Sequence, residues 1–315
     1  MARSFTRVVT TPAAARMPHD GSRPFVSLTS DWGVRDPSPA ICRGVVLGIA
    51  PSALIVDITH EVQKYNIRHG ALMLWCALPF LPIGAHVCVV DPGVGTARRP
   101  VAIETVRGDY LIGPDNGVLL PGADRLGGVT RAHWIENTQY RLPIVSSTFH
   151  GRDIFSPAAA HLSLGVPLEA LGRAIEPADL VRSDWPTPVI GDNTLETSVI
   201  YRDTFGNLKL GCLASELRRA FPELRHGETL YVRRAGSGPA AIPLPWALTF
   251  GEVAAGECLL YEDSYGRLCI AQNQGSAAEA LELDDGSDLT ITREAPASGG
   301  TSARRTGGPG QTKAD

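Results

Sequence analysis

The feature that most constrains this chain is a rhythm in its first hundred residues. Short apolar runs alternate with longer stretches whose apolar residues recur every three or four positions. "PFVSLTS" (24–30), "ALIVDITH" (53–60) and "HVCVV" (86–90) read as strands. Between them, "SPAICRGVVLGIAP" places Ile41, Cys42, Val45, Val46 and Ile49 on one helical face, and "IRHGALMLWCALPFLP" forms a second helix stopped by its prolines. The four consecutive apolar residues at 53–56 predict a strand covered on both faces. Strand, helix, strand, helix, strand is the pattern of a parallel α/β sheet. "PVAIET" and "DYLIGPDNG" extend that sheet, and "SPAAAHLSLGVP" predicts a further helix after a "STFHGRDIF" loop.

The pattern changes near "VRSDWPTPVIGDNT", where prolines and a Gly-Asp-Asn turn predict a linker. Beyond it come short strands, "LETSVIYRD", "ETLYVRR", "CLLYED", "GRLCIAQN" and "DLTITRE", interrupted by one short helix, "ASELRRAF". Strands at this spacing indicate a small β barrel or sandwich. The expected layout is a disordered leader at 1–23, an α/β domain at 24–182, a linker at 183–194, a β-rich domain at 195–294 and a disordered tail at 295–315. The 315 residues suit that division.

Composition excludes some function classes. A net charge of −4 and a pI near 6.1 give no electrostatic footprint for nucleic acid. No apolar stretch reaches the roughly 18–20 residues that span a bilayer, and the N-terminus lacks the apolar core of a signal peptide. The six cysteines sit mostly in apolar segments without C-x-x-C pairing, so they read as buried free thiols of a reducing compartment, the cytoplasm.

Ligands of open parallel sheets bind beyond the carboxyl ends of the strands. Asp31, His60 and Asp91 each follow a predicted strand and therefore belong on one rim. Asp91 opens "DPGVGTARRP", whose glycines permit a tight turn that returns Arg98 towards the carboxylate. His60 and His69 lack zinc-ligand spacing, no Gly-Lys-Ser/Thr follows the glycine turn, and no G-x-S-x-G is present. Pattern alone thus ends at an α/β protein with a polar rim of Asp, Arg and His.

The blocks "LTSDWG", "IVDITHEV", "VVDPGVGTARRP", "GPDNG", "SSTFHGRDIFSPAAAHL", "DTFGN" and "AQNQGSAAE", in that order from about residue 25 to about residue 293, resemble the S-adenosyl-L-methionine hydroxide adenosyltransferases, water-using relatives of the halide adenosyl transferases. The resemblance implies a Rossmann-like, mostly parallel sheet domain followed by a smaller β-barrel-like domain. It implies a homotrimer holding S-adenosyl-L-methionine between subunits, with no cofactor and no metal. Water or hydroxide attacks the ribose 5′ carbon, releasing L-methionine and leaving adenosine. Asp91, Arg98 and His150 match the catalytic set, with either Asp91 or His150 as the base. The halide-using relatives carry uncharged residues at these three positions. Asp31 matches a ribose-binding aspartate, Asp36 and Ser38 lie near the methionine end, and Tyr65 lies beside ribose and adenine. Asp203, Asn207, Phe250, Ser264 and Asn273 match substrate positions in the second domain. Trp32 stands where phenylalanine is common, and Tyr265 replaces an arginine of the halide-using relatives. The rival readings are an adenosyl halide synthase and a non-catalytic binding protein for the same nucleosides.

Overall fold

The computed structural model describes residues 23–236 and 240–294; apart from Arg23, the expected disordered leader and tail lie outside the described residues. The chain divides into two compact units, 1–185 and 186–315.

In the first unit the elements run β1 (Phe25–Ser30), α1 (Ser38–Ile49), β2 (Leu54–Thr59), α2 (Ile67–Ala77), β3 (Ala85–Val89), β4 (Pro100–Thr105), β5 (Tyr110–Pro114), α3 (Leu120–Arg125), β6 (Val129–Trp134), α4 (Ser156–Ser163) and β7 (Ala174–Ile175). They build one sheet in the order β2-β1-β3-β5-β4-β6-β7. The pairs from β2 to β5 are parallel, and β4, β6 and β7 extend the sheet antiparallel. The α/β expectation therefore holds, with the parallel strands grouped on one side.

Two layers of helix cover the sheet. Cys42 and Val46 of α1 and Ala158, Ala159 and Leu162 of α4 pack with Val26, Leu28, Val87 and Val89. On the other face Ala71 and Leu74 of α2 and Ala123 of α3 pack with Cys88, Val101, Ile103 and Leu111. A fully buried leucine such as Leu72 or Leu74 contributes roughly 1.5–3 kcal/mol. Asn66 caps α2 by accepting from the His69 backbone N–H at 2.9 Å.

Three expectations fail here. β2 is not covered on both faces: it is the sheet's edge strand, with Leu54 44% and Val56 38% exposed. Four apolar residues in a row look alike in a central strand and in an edge strand. Ile41 lies off the buried face of α1 and is 38% exposed; the buried stripe is Pro39, Cys42 and Val46. The expected loop "STFHGRDIF" winds over Gly151–Phe155 into a wide π-helical turn that runs straight into α4. Turns of this kind are rare and recur at functional sites.

The second unit contains β8 (Val189–Gly191), β9 (Thr194–Arg202), β10 (Leu208–Leu213), α5 (Ala214–Ala220), β11 (Thr229–Arg234), β12 (Ile242–Pro245), β13 (Cys258–Glu262), β14 (Arg267–Gln272), α6 (Ala277–Leu281) and β15 (Asp288–Thr292). Its sheet runs β12-β11-β15-β9-β10-β14-β13, with β8 paired to β9. All these pairs are antiparallel. Trp246, just past β12, bridges to Leu260 of β13, so the two ends of the sheet meet and the barrel is nearly closed. Leu210, Leu217, Phe221, Leu230 and Trp246 fill its interior. β8 occupies part of the stretch expected as linker.

The six cysteines are free thiols, five buried and Cys258 half-buried. Among the described residues no helix is long and apolar enough to cross a membrane.

Candidate active site

β1, β2 and β3 run parallel, so Asp31, His60 and Asp91 leave the sheet at the same end. They then differ. Asp31 is buried: its Oδ2 accepts from the Tyr65 N–H at 2.9 Å, and its backbone carbonyl accepts from Lys64 Nζ at 2.9 Å. Tyr65, 71% exposed, holds a left-handed backbone, φ 64°. Such a conformation costs a non-glycine residue about 1–3 kcal/mol and persists where its surroundings demand it. His60 turns inward, its Nδ1 2.7 Å from Ser30 Oγ and its Nε2 3.2 Å from Asp57 Oδ1. Asp36 and Ser38 lie on the same rim, Asp36 exposed in the β1–α1 loop and Ser38 opening α1.

Asp91 meets Arg98 as the glycine turn predicts. The turn closes through Val94 N–H to Asp91 O (3.2 Å) and Thr96 N–H to Gly93 O (3.1 Å). Arg98 Nε donates to both carboxylate oxygens, at 2.9 and 3.0 Å, and Nη2 also donates to Oδ2. Nη2 donates as well to His150 Nδ1 at 2.9 Å. Both ion-pair side chains are over nine-tenths buried, and the guanidinium lies 5.2 Å over the Phe155 ring. Nη1 is buried with no protein partner among the described residues. The neighbouring Arg99 goes elsewhere, to Asp115 of "GPDNG" at 2.8 Å, and Asn116 of that block donates to Val90 O at 2.8 Å, bracing the end of β3.

The proton inventory follows from donor chemistry. A guanidinium only donates, so His150 Nδ1 accepts and the neutral ring carries its proton on Nε2. Burial first, and the Arg98 charge second, hold His150 below the ordinary histidine pKa. The loop before His150 is fixed from both sides. The Ser146 N–H donates to the buried Asp153 carboxylate at 2.8 Å. Gly95, at φ 79°, lies so close to Ser147 that a Cβ there would come 2.6 Å from its carbonyl oxygen.

In the second unit Asp203 and Asn207 come together. Asp203 Oδ1 accepts from the N–H groups of Phe205 and Asn207, and Oδ2 accepts from Asn207 Nδ2, all at 2.9 Å. Phe250 leans on Tyr261 with ring centroids 5.0 Å apart. Asn273 donates to Val253 O at 2.8 Å, just past the Phe250 turn. Ser264, exposed in the β13–β14 turn, sits at the opposite end of that hairpin from Asn273, roughly 20 Å away at about 3.4 Å per residue. The structure does not bring these two together. Sequence reasoning missed Trp32, whose indole stacks at 7° on His60 and meets Phe149 edge-on; only its replacement of a common phenylalanine signalled it. Among the described residues no group of three or more His, Cys, Asp or Glu side chains could hold a metal ion.

Comparison with known proteins gives a consistent picture. The model of the SAM hydroxide adenosyltransferase N-terminal domain matches residues 26–172, and that of the C-terminal domain matches residues 197–290. A protein of Salinispora tropica named (R)-S-adenosyl-L-methionine hydrolase is 41% identical over 271 residues, covering 85% of this chain and 98% of its own. A fluorinase of Actinoplanes is 28% identical, covering 88% of this chain and all of its own. The crystal structure of an uncharacterized conserved protein from Thermotoga maritima superposes with a TM-score of 0.79 at 34% identity, over 85% of this chain and all of that one.

Proposed function

The chain belongs to the S-adenosyl-L-methionine hydroxide adenosyltransferase family, and from that premise we propose that it is a hydrolase converting S-adenosyl-L-methionine to adenosine and L-methionine. One observation carries the chemistry: a buried Asp91–Arg98 ion pair joined to the half-buried His150 at the carboxyl end of a parallel sheet.

The leaving group is a neutral thioether departing from a sulfonium, so it needs neither a proton nor an oxyanion hole. The nucleophile is the harder partner, since bulk water has a pKa near 15.7. Arg98 brings a fixed positive charge that stabilises developing hydroxide and holds the Asp91 carboxylate in place, leaving one water lone pair for His150 and the other for C5′. As the C5′–O bond forms and the C5′–S pair withdraws onto sulfur, the attacking water becomes strongly acidic, and a carboxylate then suffices as base. Asp91 takes that proton. His150, with Nδ1 committed to Arg98, donates through Nε2 and orients the water rather than deprotonating it. Holding water and carbon in line contributes roughly 7–11 kcal/mol in a well-ordered site.

Asp31 receives the ribose hydroxyls. A carboxylate offers about four acceptor sites, and the Tyr65 N–H uses one. Tyr65 and Phe250 flank ribose and adenine. Asp36, Ser38, Asp203, Asn207, Ser264 and Asn273 complete the contacts at sites shared between subunits of a homotrimer. Exposed Ile41, Leu47, Leu54 and Val56 on α1 and β2 support that assembly. The protein works in the cytoplasm, where free thiols persist, and without metal or cofactor, so chelators leave turnover unchanged.

The test is turnover in oxygen-18 water with chloride present. Adenosine labelled at the 5′ oxygen, with L-methionine in equal amount, is expected; Asp91→Asn lowers the rate about 10²- to 10⁴-fold. A 5′-halogenated nucleoside, or binding without product, overturns the reading.

A further inference from the structure

Trp32 and His60 touch none of the reacting groups named above, yet Trp32 stands directly behind the loop that carries His150, and His60 stands behind Trp32. We propose that Trp32, backed by His60, is a positioning residue that sets the place of His150 by wedging its indole against the backbone of Gly151. The inference rests on the hydrolase reading of the site.

Three contacts hold the half-buried indole. Its face lies on the His60 ring, 7° from parallel with centroids 6.2 Å apart, and its edge meets Phe149 at 5.4 Å and 87°. Its far ring fills the space beside Gly151 so completely that a Cβ there would come 2.5 Å from both Cζ2 and Cη2. Gly151 follows His150 and opens the π-helical turn, so whatever moves Gly151 moves the imidazole.

The support for Trp32 is itself fixed from β1 and β2. The Trp32 N–H donates to Ser30 Oγ at 3.4 Å, and that hydroxyl lies 2.7 Å from His60 Nδ1. His60 Nε2 faces Asp57 Oδ1 at 3.2 Å, and Asp57 Oδ2 accepts from Arg43 Nη1 at 2.6 Å. Ser30, His60 and Trp32 thus carry the geometry of two parallel strands to the loop after β6. His60 faces into the protein because it holds the wedge from behind.

The test uses Trp32→Phe, Trp32→Ala, Gly151→Ala and the double variant Trp32→Phe/Gly151→Ala in the full-length protein. Phenylalanine keeps the stack on His60 but lacks the outer indole carbons, so it makes room for the alanine methyl. We expect Gly151→Ala and Trp32→Ala to lose about 10- to 100-fold in kcat, the scale of a 1 Å misplacement, with KM changed less than about threefold. We expect the double variant to recover most of what Gly151→Ala loses. A second readout is independent of turnover: the NMR titration of His150, which faces Arg98, Asp91, Arg141 and Asp153. Its pKa rises towards the ordinary histidine value in Gly151→Ala and returns in the double variant.

Unchanged kcat and titration in Gly151→Ala, or a double variant no better than Gly151→Ala, overturns the inference. Should Gly151→Ala fail to fold, Trp32→Phe against Trp32→Ala decides, and equal losses overturn it. If the wild type makes no adenosine while the titration still shifts and recovers, the hydrolase reading falls and the wedge stands.

Discussion

A histidine that accepts a hydrogen bond from an arginine is a poor place to put a proton, and this governs how His150 responds to pH. Its pKa lies below the unfolded value of about 6.5. The neutral ring therefore persists down through pH 6.5, and protonation below that value breaks the bond from Arg98. The rate of adenosine formation is expected to be level with respect to this group above about pH 6.5 and to fall on the acid side. Arg98→Gln removes a lowering influence, so the His150 resonance in that variant titrates at higher pH than in the wild type. An NMR titration of the two proteins checks this, and a downward move contradicts the assigned contact. Asp91 and Arg98 were legible in the sequence because they stand only seven positions apart across one turn and its glycines announce that turn. Trp32 against Gly151 was not legible, since that contact depends on packing between segments far apart in the chain.

At the scale of elements, α2 carries a second acid-sensitive group. His69 is buried in its first turn, Nδ1 accepts from the Gln63 N–H at 3.0 Å, and burial lowers its pKa to about 4. The unfolded chain binds a proton on this residue near pH 6.5 while the folded one refuses it until about pH 4. The stability contributed by this residue therefore falls as pH drops between those values and is constant outside them. The full effect is at most about 3 kcal/mol, from 1.36 kcal/mol per pKa unit. Urea unfolding of wild type and His69→Gln at pH 7 and pH 4.5 is expected to show a smaller acid loss in the variant. The elements themselves were read with uneven success, for physical reasons. β1, β3, α1 and α2 have strong local periodicity. β6 (VTRAHW) and the two-residue β7 carry little apolar alternation and owe their conformation to neighbours, whereas β10 (LKLGCL) and β12 (IPLP) alternate but are short and lie among turns and prolines. Residues 53–56 encode a strand plainly but not its place at the edge, because edge or centre is decided by what lies alongside.

For the whole molecule, the apolar residues left bare on α1 and β2 set the expectation of self-association. Light scattering is expected to give about three times the chain mass of 33.5 kDa, and Leu47→Glu or Val56→Glu is expected to reduce that to one and to cut turnover with it. A wild type that elutes as a monomer while fully active contradicts the shared-site proposal. The division into two units was visible as a change from alternating strand and helix to a mostly strand pattern.

The buried thiols carry a consequence of a different kind. Only a thiolate reacts with alkylating reagents, and burial pushes the Cys42 thiol up to about 11 and the Cys212 thiol up to about 12. Each stays silent until its surroundings open. Cys42, Cys76 and Cys88 belong to the first unit, and Cys212, Cys258 and Cys269 to the second. The protein therefore carries, in each half, its own set of clocks. The rate at which mass is gained at each buried cysteine reads the opening free energy of its own surroundings, and a substrate that tightens the surroundings of one set more than the other would slow those clocks more.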